Sequence, residues 1–269
     1  MTHTPITLSI AGSDSGGGAG IQADIKAISA TGGYACTVIT ATTAQNTLGV
    51  TDVHAIPLPH IEAQLDAVFS DLDVQAVKIG MLANSEIIQL VARKLRQYQP
   101  KQIVLDPVMV ATSGDLLLQQ TAIQTLIEEL LPLATLITPN LPEAATLLNS
   151  EVPHTEQAVL DLIPALQQLP TAAVLLKGGH LAELPDSTDW LLSNSDVQTF
   201  TTARISTQNT HGTGCTLSSA IASYLAQGAD LTAAVQQAKD YLTGAIAAAD
   251  QLPVGQGHGP VNHFYQWQR

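Results

Sequence analysis

The sequence predicts an α/β protein with a mostly parallel central sheet and helices on both faces. Short, nearly continuous apolar runs alternate with helical patterns along most of the chain. Strands of this kind are buried on both faces, which is typical of parallel sheets covered by helices. The 269 residues show no linker, charge block or internal repeat, so we assign residues 1–269 to a single domain.

Each element follows from this alternation, taken in chain order. Strands are predicted where short apolar runs end at turn residues, at 6–11, 36–42, 53–58, 76–80, 102–105, 136–138 and 172–176. Helices are predicted where apolar residues recur every three or four positions, as at Ile21, Ile25 and Ile28. The other predicted helices are 61–69, 85–98, 121–131, 143–148, 155–169, 213–227 and 231–250. Residues 189–205 predict an antiparallel pair at a sheet edge. In doubly wound sheets, ligands bind beyond the carboxyl ends of the strands.

Composition excludes several classes of protein. Apolar residues make up 45% of the chain and charged residues 12%, which excludes a disordered protein. Ten Lys and Arg against 23 Asp and Glu give a net charge of -13, so we expect neither nucleic acid nor a membrane surface as a partner. The two cysteines do not form a disulfide framework, and the first ten residues lack the basic segment of a signal peptide. These features predict a cytoplasmic protein.

Two glycine-rich turns each precede a predicted helix. The first glycine turn, residues 12–20 (GSDSGGGAG), follows a strand and lacks the Lys of a P-loop. The second glycine turn, residues 209–216 (NTHGTGCT), leaves the amides of Gly212, Thr213, Gly214 and Cys215 unpaired at a helix start. Both turns predict cradles for anions, because such amides and the helix dipole favour negative charge. For the first turn, a flexible connection without a ligand remains an alternative.

Cys215 lies at the start of the helix that follows the second glycine turn. A thiol there has a lowered pKa, so its thiolate is accessible for chemistry. The alternative for a lone cysteine is a small buried apolar side chain. We favour the functional interpretation because of the position of Cys215 in the turn.

Acidic and amide side chains follow two of the predicted strands. Asp106 ends the strand 102–105, while Asn140 and Glu143 follow the strand 136–138. Oxygen ligands of this kind, with waters, suit Mg²⁺. The alternative is a capping box, with Asn140 as the N-cap and Glu143 as its partner, and both interpretations are compatible. Lys177 ends the strand 172–176 before two glycines, which predicts a contact with an anion; an ordinary surface lysine is the alternative.

Other chemistries find no support in the sequence. No Cys-x-x-Cys or paired-histidine spacing predicts zinc, and no Gly-x-Ser-x-Gly motif predicts an α/β-hydrolase. Anion cradles, an oxygen-rich metal site, a cation and a thiol instead fit phosphoryl transfer, in which positioning and charge stabilisation supply most of the catalysis.

Seven ordered motifs carry a resemblance that spans nearly the whole chain. They are AGSDSGGGAGIQADIK, TAQNT, KIGML, DPVMVATSGDLLL, TPNLPEA, LLKGGH and NTHGTGCTLSSAIA. With them the chain resembles the hydroxymethylpyrimidine/phosphomethylpyrimidine kinases of thiamine biosynthesis, members of the ribokinase superfamily. The resemblance implies a ribokinase-like fold, ATP and Mg²⁺ as cosubstrate and metal, and a homodimer. It also implies phosphorylation of 4-amino-5-hydroxymethyl-2-methylpyrimidine and then of its monophosphate.

The resemblance also implies roles for individual residues. Gln45 would pair with the amino group and ring nitrogen of the pyrimidine, since an amide offers one donor and one acceptor side by side. The remaining pocket residues would be Gly12, Asp24, Met81 and Val108. The phosphate and metal side would consist of Asp106, Asn140 and Glu143 for Mg²⁺, Lys177 for phosphate charge, and Gly212, Thr213 and Gly214 for the transferred group. Cys215 occupies the place of the aspartate base of related sugar kinases.

Two alternatives remain open. The first is a pyridoxine or pyridoxal kinase of the same fold, because its substrates are also flat rings that bear a hydroxymethyl group. Relatives that accept pyridoxal carry a cysteine after DPVMV, where this chain has Ala111, which weakens that alternative. The second is a protein that binds the pyrimidine without catalysis, although every catalytic position of the motif set is present.

Overall fold

The computed structural model describes residues 4–109, 120–179, 181, 185–193 and 196–267. Nine strands in these residues form one sheet, in the order β3-β2-β1-β4-β5-β6-β7-β8-β9. The strands are β1 (Ile6–Asp14), β2 (Tyr34–Asn46), β3 (Gly49–Ala55), β4 (Ala76–Ile79), β5 (Gln102–Leu105), β6 (Leu136–Ile137), β7 (Val174–Lys177), β8 (Asp186–Ser193) and β9 (Asp196–Ala203). The α-helices are α1 (Gly20–Ala30), α2 (Leu58–Asp71), α3 (Ser85–Tyr98), α4 (Gln120–Glu129), α5 (Leu141–Leu148), α6 (Glu156–Leu166), α7 (Thr213–Ala226) and α8 (Leu231–Ala247).

The sheet is parallel at its centre and antiparallel at both edges. The neighbours from β2 through β7 pair in parallel, whereas β3 pairs antiparallel with β2, and β8 and β9 form an antiparallel pair beside β7. This arrangement confirms the predicted fold class and the predicted edge pair. None of the helices in the described ranges combines the length and apolar character that crossing a membrane requires.

Alternate residues of the central strands face two separate cores. In β4, Ala76 packs with α1, α7 and α8, whereas Val77 and Ile79 pack with the helices of the opposite face. In β5, Val104 faces the α7 side, and its neighbours face the other core. This two-residue alternation places Lys78 on the α1 and α7 side of the sheet.

Two strands extend further than the sequence predicts. β1 continues past residue 11 to Asp14, because a register shift lets Ser13 and Asp14 pair with Thr42 and Thr43 of a lengthened β2. β3 begins and ends earlier than the predicted 53–58, since Pro57 precedes the first turn of α2. The first glycine turn therefore begins inside a strand, which carries its polar residues to the carboxyl end of the sheet.

A segment that follows α8 packs against the start of α7. The backbone amide of His211 donates to the Gly259 carbonyl at 3.1 Å, and His263 Nε2 lies 2.9 Å from the hydroxyl of Thr216. The Tyr241 hydroxyl donates to the carbonyl of His263 at 2.9 Å. Residues 259–263 are buried and therefore support the second glycine turn from outside.

Candidate active site

A cavity of about 650 Å³ opens at the carboxyl ends of the parallel strands. This volume is ordinary for a pocket that binds a small molecule. Of the residues that sequence and resemblance single out, it brings together all but one: Gly12, Gln45, Met81, Asp106, Val108, Asn140, Glu143, Lys177, Gly212, Thr213, Gly214 and Cys215. The exception is Asp24.

An ion pair lies beside the second glycine turn. Lys177 Nζ is 2.9 Å from Asp106 Oδ1, which also accepts a hydrogen bond from Thr138 at 3.0 Å. Burial alone would lower the pKa of the Lys177 ammonium, but the carboxylates of Asp106 and Glu143 outweigh it and raise that pKa. Burial likewise opposes ionisation of Asp106, but Lys177 and Lys78 hold its pKa below the ordinary value. The pair therefore stays charged in the cavity.

Asn140 and Glu143 form the capping box at the start of α5. The Asn140 side chain accepts from the Glu143 amide at 2.9 Å, and Glu143 Oε2 accepts from the Asn140 amide at 2.8 Å. Burial, with a further contribution from Asp106, raises the pKa of Glu143 to about 7. The capping alternative is thus present in the structure, and it holds the Glu143 carboxyl at the cavity wall.

The oxygen atoms at this wall fit a magnesium ion that is completed by other ligands. Asp106 Oδ2 receives only a long contact of 3.5 Å from Ser218, whereas its other oxygen is occupied. Among the residues that the structure describes, no three His, Cys, Asp or Glu side chains cluster closely enough to hold a metal by themselves. Mg²⁺ is commonly bound by one or two carboxylates together with waters and substrate phosphates, so this donor set suits it.

The second glycine turn leaves its amides open. Gly212 has φ 80°, and a Cβ there would overlap the carbonyl oxygen of Gly18, so only glycine fits. The amides of Gly214 and Cys215 donate to no acceptor among the described residues. A Cβ at Gly214 would lie 3.3 Å from Lys177 Nζ and 3.4 Å from Asp106 Oδ2. The open amides therefore border the ion pair, where an anion would meet both.

The first glycine turn is not an open cradle, contrary to the prediction. The buried carboxylate of Asp14 accepts from the amides of Gly16, Gly18 and Ala19 at 2.7, 3.0 and 2.8 Å. Burial opposes ionisation of Asp14, but hydrogen bonds from His211 and Ala19 hold its pKa below the ordinary value. The chain thus supplies its own anion to this turn.

Cys215 also differs from the prediction. Burial raises the pKa of its thiol to about 11, although the Lys78 charge and a hydrogen bond from the Gly20 amide act in the opposite direction. The helix start alone would lower this pKa, but the loss of solvation is the larger effect. Cys215 is therefore a protonated thiol in the free chain near neutral pH.

Asp24 lies beneath the cavity rather than at its wall. Both of its oxygens accept from Lys78 Nζ, at 2.8 and 2.9 Å, and its remaining bonds come from Ser9 and Ser219. Burial alone would lower the pKa of Lys78, but the charge of Asp24 raises it. Lys78 itself lines the cavity. Sequence reasoning missed Lys78, although a lysine inside an apolar strand is a usable signal of a buried ion pair.

His211 is a second cavity residue to which the sequence assigned no role. Its Nε2 lies 2.9 Å from Asp14 Oδ2 and 3.4 Å from the amide nitrogen of Gln45. Thr43 contacts the other end of the Gln45 amide, with its Oγ1 3.1 Å from Gln45 Oε1. The position of Ala111, used above against pyridoxal, lies outside the described residues.

Comparisons with known proteins agree with this site. A sequence model of the phosphomethylpyrimidine kinase family matches residues 14–262. The hydroxymethylpyrimidine/phosphomethylpyrimidine kinase of Rhizobium meliloti is 54% identical over 98% of both chains, and that of Escherichia coli is 52% identical over 97% of both. A thiamine biosynthesis bifunctional protein of Geobacter sulfurreducens is 50% identical over 96% of this chain and 52% of its own length.

Solved structures confirm the ribokinase-like fold. A Bacillus subtilis pyridoxal kinase in complex with ADP superposes with a TM-score of 0.91 at 34% identity, covering 99% of this chain and 100% of its own. A phosphomethylpyrimidine kinase of Clostridium difficile superposes with a TM-score of 0.78 at 45% identity, covering 90% and 99%. The overall shape is shared with both kinds of vitamin kinase, while sequence identity is higher with the pyrimidine kinase. The chain therefore belongs to the phosphomethylpyrimidine kinase family and is a phosphotransferase of thiamine biosynthesis.

Proposed function

We propose that the chain transfers the γ-phosphoryl group of ATP to 4-amino-5-hydroxymethyl-2-methylpyrimidine and then to the monophosphate. The observation that carries this proposal is the single cavity in which the Gln45 amide faces the same space as the Lys177–Asp106 pair and the open amides of the second glycine turn. One wall offers the paired donor and acceptor that an aminopyrimidine requires, and the other offers positive charge.

On the phosphate side, we assign positioning and charge stabilisation to the second glycine turn and Lys177. The amides of Gly212, Thr213, Gly214 and Cys215 would hold the transferred group at the start of α7, where the helix dipole favours negative charge. Lys177 would neutralise charge that develops on the phosphoryl oxygens. Since the transition state of phosphoryl transfer is loose, these contacts supply most of what the reaction needs.

We propose that Asp106 and Glu143 hold Mg²⁺, directly or through water, while Asn140 fixes Glu143 through the capping box. When bound, the ion would bridge phosphate oxygens and offset their charge. The Asp106 oxygen that faces away from Lys177 would be available to it.

On the substrate side, we propose that Gln45 pairs with the ring, while Gly12 and Val108 contribute backbone contacts and Met81 packs against the ring. Gly12 and Met81 are neighbours, since a Cβ at Gly12 would lie 2.8 Å from the Met81 methyl group. Cys215 would lie beside the reacting hydroxyl as a neutral thiol, so its use as a base would require a lower pKa in the complex than in the free chain.

We further propose a homodimer through the edge strand β3 and a cytoplasmic location. β3 ends the sheet, and the adjoining Leu48 and its own Val53 are 69% and 41% exposed. An open sheet edge with apolar side chains favours association. Both cysteines are free thiols, which suits a reducing compartment. Light scattering should give twice the chain mass for the native protein and a smaller mass for Val53→Lys; a monomer at every concentration would overturn the dimer.

The test of function is the mass of the products formed with Mg·ATP from the hydroxymethylpyrimidine, with pyridoxine in a parallel reaction. We expect the pyrimidine to gain one and then a second phosphoryl group, and pyridoxine to react poorly. A faster reaction of pyridoxine would overturn the substrate assignment and leave the phosphate side intact. Binding of the pyrimidine without any product would favour a protein that binds without catalysis.

A further inference from the structure

His211 is a polar cavity residue that the proposed phosphoryl transfer does not use. Its side chain is 12% exposed and lies between the Asp14 carboxylate and the Gln45 amide. It is also where the two glycine turns meet, because Asp14 belongs to the first and His211 to the second. Its position next to the proposed ring contact suggests a role in substrate recognition.

The proton on the ring nitrogen that faces Asp14 can be assigned from the chemistry of its partner. An ionised carboxylate only accepts hydrogen bonds, and Asp14 already accepts from three backbone amides. The His211 Nε2 atom, 2.9 Å from Asp14 Oδ2, must therefore carry a proton and donate. This holds for both the neutral and the protonated ring, so His211 presents a donor and not an acceptor at this atom.

Consequently, the two ends of the Gln45 amide are not equivalent in their surroundings. An amide nitrogen 3.4 Å from His211 Nε2 faces another donor and gains no hydrogen bond there, whereas a carbonyl oxygen in that place would be favoured. At the other end, Thr43 Oγ1 also donates to the Ser13 carbonyl at 2.9 Å, so it can accept from an amide nitrogen. Both neighbours thus favour the amide with its carbonyl towards His211.

We propose that His211, held by Asp14, sets the hydrogen-bonding polarity of Gln45 together with Thr43 and so acts as a positioning residue for substrate specificity. An aminopyrimidine edge carries a donor amino group next to an acceptor nitrogen, so only one orientation of the amide matches a given orientation of the ring. His211 thereby fixes which way round the ring binds. This inference rests on the proposed contact between Gln45 and the pyrimidine.

A double-mutant cycle tests the proposal through the KM for the pyrimidine. Relative to the native chain, His211→Phe and Thr43→Val should each raise this KM about tenfold, the effect of one lost hydrogen-bonding preference. The KM for ATP should change less than twofold. In a Gln45→Ala background, neither substitution should raise the pyrimidine KM further, because the amide on which both act is gone. His60→Phe, on an exposed helix position, is the matched control.

Three results separate the possible failures. If Gln45→Ala leaves the pyrimidine KM unchanged, the proposed ring contact itself is wrong. If Gln45→Ala raises it but His211→Phe and Thr43→Val do not, only the polarity proposal is overturned. If His211→Phe has its full effect in the Gln45→Ala background, His211 acts directly or through the fold, which also overturns the proposal. Thr43→Val approaches the amide from its other end, so the test does not depend on the folding of His211→Phe.

Discussion

The two glycine turns occupy equivalent places in the chain but differ in what fills them. Each precedes a helix without a side-chain cap, α1 in one case and α7 in the other. In the first, Asp14 occupies the amides; in the second, the amides of Gly214 and Cys215 find no acceptor in the described part of the chain. The same local sequence signal thus produces a closed structural turn and an open ligand cradle. The difference lies in one carboxylate.

Removal of that carboxylate is expected to have the largest effect on stability. In Asp14→Asn, an NH₂ group can be placed against amides and an imidazole that also donate, so the buried donors lose their acceptor. We expect the free energy of unfolding to fall by about 3 kcal/mol, measured by urea denaturation. Asp71→Asn, at an exposed position, should change it by less than about 0.5 kcal/mol. An Asp14→Asn variant as stable as the native chain would contradict the structural role of the first turn.

A methyl group in the open cradle should have the opposite profile. Gly214→Ala places a Cβ beside Lys177 and Asp106, where the transferred group would lie, and alanine is favoured over glycine inside a helix. We expect kcat to fall about a hundredfold, because a displacement of this size misaligns the reacting groups. The melting temperature should stay the same or rise. A large loss of stability with normal kcat would instead place this turn in the same structural class as the first.

The pH dependence of stability tests how the second turn is supported. Burial lowers the pKa of His263, which contacts Thr216 in the first turns of α7, to about 4. The unfolded chain therefore binds a proton near pH 6.5 that the folded chain refuses until about pH 4. Stability from this group is complete above pH 6.5 and is lost as the pH falls, by about 2 kcal/mol between pH 7 and pH 5.

His263→Gln removes this titration while keeping a side chain that can bond to Thr216. Urea denaturation at pH 5 and pH 7 should therefore show a smaller difference in the free energy of unfolding for the variant than for the native chain. An equal difference in both proteins would show that other groups control the acid sensitivity.

The smallest effect is expected at the outer side of the first turn. Lys26 Nζ donates to the Gly17 carbonyl at 2.7 Å. Lys26→Met removes that bond, keeps most of the aliphatic side chain, and should cost about 1 kcal/mol of unfolding free energy. Because the first turn has a structural role, kcat should remain unchanged within twofold. A marked loss of kcat would indicate that the geometry of this turn is coupled to catalysis.

Much of the fold was predictable because the relevant signals are local. The helix at 85–98 and the strand at 102–105 have the predicted bounds, since apolar periodicity and the Asn84 cap define them. The lengthening of β1 to Asp14 was not predictable, because it depends on pairing with a strand distant in sequence. Local signals place elements, but not the residues at which tertiary pairing ends them.

The site divides in the same way. The gathering of Asp106, Glu143 and Lys177 follows from their positions at the carboxyl ends of neighbouring strands. The burial of Cys215, and the ion pair that draws Asp24 towards Lys78, depend on packing between elements far apart in the chain. A pKa and a side-chain partner depend on that packing, so residue type and local position gave the wrong ionisation for Cys215.

The support of the second turn by residues 259–263 has a consequence for biosynthesis. A ribosome makes these residues after all nine strands and all eight α-helices of the described fold, and domains acquire structure from the N-terminal end as they emerge. The contacts of Gly259 with His211 and of His263 with Thr216 therefore form last. A nascent chain that lacks them could complete its sheet, yet its phosphate cradle would still lack its outer support.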